Sequence, residues 1–141
     1  YGLYLKMLED ALASLSGDEK KEKKTVDIKL AISAYISDDY IHEDRVRLEL
    51  YRRLSRASDI QDVYKIEEEM EDRFGKPDIF TKQFIELIII KILALNKGIQ
   101  NISSYEMNIT FTKDDATKES IKSPSKDDDD IIATTLRYLR K

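Results

Sequence analysis

Carboxylates are the densest reactive groups in this chain. Glu67, Glu68, Glu69, Glu71 and Asp72 crowd one short run, and Asp127, Asp128, Asp129 and Asp130 follow one another nearer the end. Residues three or four apart share a helix face, so the first run has the spacing of a general acid/base pair. Acids on the surface of one helix, with no opposing group in view, are read instead as a solvated face. The four aspartates lack the spaced ligands and central glycine of a calcium loop. Acid at the head of a segment that closes on Arg137, Arg140 and Lys141 complements a helix dipole, which is the preferred reading. His42 is the single histidine and there is no cysteine, which removes thiolate nucleophiles, disulfides and thiolate zinc sites. Neither of the glycine-rich phosphate loops, GxxxxGKS/T and GxGxxG, occurs. The chain itself is therefore expected to be no enzyme, with no catalytic residue, cofactor or metal of its own. Arg45, Arg47, Arg52 and Arg53 form a basic run interleaved with Asp44 and Glu49. Ion pairs along a helix surface explain that run, and the alternative is an accessory DNA contact through the four arginines.

Composition narrows the partners. The 141 residues suit one domain, with 41% hydrophobic residues for a core and 37% charged residues to wrap it. Against 24 Lys and Arg stand 28 Asp and Glu, a net charge of −4. That balance disfavours a free-standing nucleic-acid binder and favours a partner that is locally basic. No stretch reaches the roughly 18 apolar residues that span a bilayer, so a cytoplasmic protein without membrane contact is expected.

The elements follow from periodicity. Tyr4, Leu5, Leu8, Ala11, Leu12 and Leu15 make a helical stripe that stops at Gly17. No capping residue precedes it, which reads as a helix continuing from upstream chain. Residues 18–24 form a charged linker. At residues 26–36 the period changes to two, with Val26, Ile28, Leu30, Ile32, Ala34 and Ile36 alternating, which predicts a strand. Val46, Leu50 and Leu54 begin a helix. Ser58 and Gln61 have the form of a capping box for the next, which turns Ile60, Val63, Tyr64, Met70 and Phe74 inward and stops at Gly75. Asp78 caps a third helix to about Lys97, apolar nearly all round and so buried. Short strands are predicted at residues 99–102 and 107–111, a mobile polar loop at 112–126, and a terminal helix at 127–141. These elements make an α+β fold in which several helices cover a small mixed sheet, with residues 85–95 at its centre.

At about 100° per residue, Asp62, Lys65, Glu69 and Asp72 gather on the side of the 59–74 helix opposite Ile60, Val63, Met70 and Phe74. An outward carboxylate pair such as Glu69 and Asp72 suits bidentate arginines from a partner.

The order of motifs is similar to a known family. YGLYLKMLEDAL, then ISAYISDDYI followed by RLELYRRL, then EMEDRFGKP and the apolar helix ending in NKGI, together resemble the C-terminal domain of bacterial transcription-repair coupling factors, the Mfd family. The likeness runs from Tyr1 to Phe111 and fades in the shorter, more polar tail. It implies a TRCF C-terminal domain-like fold within a large ATP-driven double-stranded DNA translocase. Such a translocase displaces stalled RNA polymerase and recruits the excision-repair protein UvrA, its ATP and magnesium held by domains upstream of this one. It further implies that this domain covers an N-terminal UvrA-binding module of the same polypeptide. The acids of the family's ExxDRFG motif, which stand here as Glu69 and Asp72, would face basic residues of that module. Glu69, Asp72, Asp62 and Lys65 are accordingly the expected interface.

Overall fold

The computed structural model describes residues 25–141, so the expected opening helix and charged linker lie outside the described residues. The elements run in the order β1 (Asp27–Lys29), α1 (Asp44–Arg56), α2 (Ile60–Phe74), α3 (Ile79–Asn96), β2 (Ile99–Tyr105), β3 (Asn108–Lys113), β4 (Lys118–Lys122) and α4 (Asp128–Leu139). Among the described residues, four helices and one mixed four-stranded sheet confirm the α+β class. Two compact units divide the chain, one of residues 25–32 with Leu93–Lys141, the other Ser33–Ile92.

The first unit holds the sheet, in the order β1-β2-β3-β4. β1 runs parallel to β2 with Ile28 opposite Ile102, whereas β2–β3 and β3–β4 are antiparallel hairpins. Ile102, Ile109 and Phe111 are fully buried on one face. There α4 stacks Tyr138 on Phe111, with ring centroids 3.9 Å apart, and the Tyr138 hydroxyl donates to Glu119.

Two expectations for this sheet need correction. The segment at 112–126 is no loop: residues 118–122 form the edge strand β4, with Ile109 opposite Ile121 and a Thr110–Ser120 hydroxyl bond of 2.9 Å. The turn before it is built by Asp115, whose carboxylate accepts from the Thr117 amide at 3.0 Å and hydroxyl at 2.6 Å, and by Ala116 at φ 72°. The strand expected over residues 26–36 ends at Lys29. Its alternation survives as alternating burial, from Val26 to Ile36. Beyond β1 the backbone groups bond to side chains and loops rather than a ladder. The Ala31 amide donates to Ser104 Oγ (2.8 Å) and the Ile36 amide to Tyr51 Oη (2.7 Å), while Gln83 Nε2 donates to the Ser33 carbonyl (2.5 Å). Buried backbone groups require partners but not strand partners.

The second unit is helical. Asp59, rather than Ser58, caps α2, its carboxylate accepting from the Gln61 amide at 2.9 Å. Gly75 ends α2 at φ 85° and ψ −174°, a conformation open essentially to glycine alone. Asp78 caps α3 by accepting from the Thr81 amide at 2.9 Å. Phe84, Ile85, Ile88 and Ile90 are buried along α3, as expected of a helix apolar on most sides.

Candidate functional site

The site is built on the helical hairpin α1–α2. On α2 the buried residues are Val63, Ile66, Glu67 and Met70. At about 100° per residue their mean direction lies almost opposite Asp72, whereas Glu69 sits roughly 60° round from Asp72, at the flank of the buried side. That offset separates two residues the sequence placed together. Asp72 stands at the solvent apex, exposed, with no ion-pair partner among the described residues. Asp62 and Lys65 are exposed on the same side.

Glu69 is claimed from within. Arg53, on α1, donates through Nη1 to Oε2 and through Nη2 to Oε1, the second bond 3.2 Å long. Arg73 brings its Nη1 to 3.9 Å from Oε2 and lays its guanidinium 4.8 Å over the Phe74 ring. The hydrogen bonds from Arg53 hold the Glu69 carboxyl below its ordinary range and push the Arg53 guanidinium up. Glu69 thus differs from Asp72 in that its charge is already balanced by two arginines of the same unit. It is still 42% exposed, and Arg53 is 36% exposed, so water and an incoming group can reach both.

Two further side chains depart from the pattern reading. Tyr64, expected inward, is 41% exposed, and Glu67, counted among the solvated acids, is 8% exposed. Glu67 accepts from Lys82 Nζ on α3 at 2.6 Å, and that bond raises the Lys82 pKa against the opposing effect of burial. The signal for Glu67 is its own helical phase, which at about 100° per residue places it between Ile60 and Phe74, inside the apolar arc. Close by, the Tyr40 hydroxyl donates to the Gly75 carbonyl at 2.6 Å. Burial first, then the charges of Glu71, Asp78 and Glu67, push Tyr40 up to about 12.

Most of the basic run on α1 is engaged in ion pairs. Arg47 bonds Asp44 and the Ile41 carbonyl (2.6 Å), Arg52 bonds Glu49 (2.5 Å) and Arg53 bonds Glu69. Three of the four arginines offered for DNA contact thus hold protein oxygens. Near the other end, the carboxylates of Asp127, Asp129 and Asp130 come within 4.8 Å of one another. Asp130 accepts from Ser125 Oγ at 2.6 Å and the group heads α4, in keeping with dipole complementarity. His42 is exposed at the loop before α1. Among the described residues, no helix is long and apolar enough to cross a membrane.

Residues 30–123 match the TRCF domain family model. Over 139 residues, 99% of its length, the chain is 49% identical to the transcription-repair-coupling factor of Helicobacter pylori strain J99, of which it spans 14%. It is 33% identical over 104 residues, 72% of its length, to the corresponding factor of Rickettsia prowazekii, of which it spans 9%. A crystal structure of the C-terminal domain of transcription-repair coupling factor shares the fold, with a TM-score of 0.61 at 22% identity, covering 66% of this chain and 59% of that one.

Proposed function

The chain belongs to the TRCF domain family of transcription-repair coupling factors, and we propose that it is the regulatory domain of such a protein. In this reading it covers the UvrA-binding module of the same polypeptide through the outer face of α2. Asp72 is the leading contact. Lys65 and Asp62 flank it, and Glu69 is a second carboxylate that the module engages in competition with Arg53. The parent is an ATP-dependent double-stranded DNA translocase of transcription-coupled excision repair, working in the cytoplasm alongside RNA polymerase. This domain contributes no catalysis, and ATP and magnesium are held by the parent's motor.

One observation carries the reading: Asp72 is an exposed carboxylate on the last turn of α2, with no ion-pair partner among the described residues. An exposed carboxylate contact is worth about 1 kcal/mol or less, and a few when desolvated at an interface. A bias of that size tilts the balance toward the covered state about fivefold per kcal/mol and is small enough for a partner to reverse. In the full-length protein, Asp72→Arg should raise the affinity for UvrA about threefold to tenfold, while circular dichroism of the chain is unchanged. Unaltered affinity would remove the support for a masking role.

A further inference from the structure

We infer that Arg53 is a built-in competitor for Glu69, so that the grip of α2 on a basic partner is set by how readily one arginine of this chain lets go. The inference rests on the masking role proposed above and concerns its regulation.

The geometry is that of an exchangeable pair. Arg53 lies on α1 and Glu69 on α2, sixteen positions apart in the chain, so the pair ties the two helices of the hairpin together. The guanidinium meets the carboxylate with two nitrogens on two oxygens, the arrangement that an arginine of a partner would itself seek. Both groups remain more than a third exposed, so the bond can be broken without opening the core. Arg73, at 3.9 Å, approaches the same oxygen that Arg53 Nη1 holds, Oε2. An incoming basic side chain must therefore displace Arg53 from Glu69 or share a carboxylate that already faces two positive charges. Asp72, one turn on, carries no such competitor among the described residues. The two carboxylates are consequently unequal: Asp72 is available at first encounter, and Glu69 only after exchange.

Removing the competitor should strengthen the cover. In the full-length protein, Arg53→Gln is expected to lower UvrA affinity about two- to fivefold, the range of an exposed ion pair released to a new partner. Arg53→Lys, which keeps the charge but loses the planar fork, should lower it less. The same Arg53→Gln change made in a Glu69→Gln background should have no effect, because the competitor acts only through that carboxylate. Asp72→Arg serves as the separate arm that reports on masking itself. If Asp72→Arg raises UvrA affinity while Arg53→Gln leaves it unchanged or raises it, masking stands and the competitor is refuted. Persistence of the Arg53→Gln effect in the Glu69→Gln background also refutes it, showing general charge rather than exchange. If neither Asp72→Arg nor Arg53→Gln changes the affinity, masking fails and the competitor with it. Should Arg53→Gln fail to fold, Arg53→Lys with and without Glu69→Gln gives the same decision.

Discussion

Lys82→Met should destabilise the Ser33–Ile92 unit by about 1–3 kcal/mol at neutral pH. Glu67 is 8% exposed and accepts from Lys82 Nζ at 2.6 Å. Stripping the partner from a fully buried carboxylate costs about 3–5 kcal/mol. The Lys82 side chain is 48% exposed, so water can reach the vacated position and the lower range applies. Replacing both residues, Glu67→Met with Lys82→Met, removes the stranded charge and should cost less than Lys82→Met alone, giving a coupling of about 1–2 kcal/mol. Urea denaturation of the two single variants, the double variant and the parent chain measures that coupling. Its pH dependence has a fixed sign. Hydrogen bonding to Glu67 raises the Lys82 pKa above its ordinary 10.5. The stability this contributes is complete below the unfolded value and is lost as pH rises through the folded one, so the deficit of Lys82→Met should shrink only above about pH 10.5. Additive single effects, or a deficit that is already absent at pH 7, would show that Glu67 is not desolvated and refute the reasoning.

Gly75→Ala should cost about 1–2 kcal/mol in the same assay although nothing crowds the new methyl group, because φ 85° is strained for any L side chain. A neutral substitution would mean that α2 ends differently. Tyr40 and Tyr138, both pushed up to about 12, Tyr40 by burial and nearby acids and Tyr138 by burial and its bond to Glu119, should each ionise well above the ordinary tyrosine value of 10. Both shifts favour the folded state below the ordinary tyrosine value of 10 and lose that contribution as pH climbs toward 12. Tyrosinate absorbance of the wild type against Tyr40→Phe and Tyr138→Phe reads this, and disappearance of an early-titrating group in either variant would contradict it.

How far the sequence reveals the fold depends on whether the partner of each group is local. The caps of α3 and the stop at Gly75 are legible because each is a residue acting on its own turn: Asp78 on the Thr81 amide, Gly75 through its own φ. The helical faces are legible for the same reason, as Val63 and Met70 show. The end of β1 is not, because residues 31–36 bond to Ser104, Tyr51 and Gln83, side chains remote in sequence whose arrival no periodicity announces. Strand β4 escapes notice because an edge strand carries charge, here Lys118, Glu119 and Lys122, and Ile121 is its one large apolar residue, half-buried. At the candidate site the helical phase separates Asp72 from the core correctly. What phase alone does not reveal is that Glu69, nearer the seam of the hairpin, meets Arg53 from the preceding helix. Glu67 shows the converse error, an acid assigned to solvent by its neighbours in sequence and taken inside by its position on the helix.

The central claim is that the outer face of α2, led by Asp72, holds a basic surface of the parent's own UvrA-binding module. Its most direct measurement is the affinity of this chain for that module, wild type beside Asp72→Arg, at low and at moderate salt. Binding should weaken as salt rises, and Asp72→Arg should reduce it several-fold without changing the chain's melting temperature. Equal affinity of the two proteins, or no binding at low salt, would contradict it.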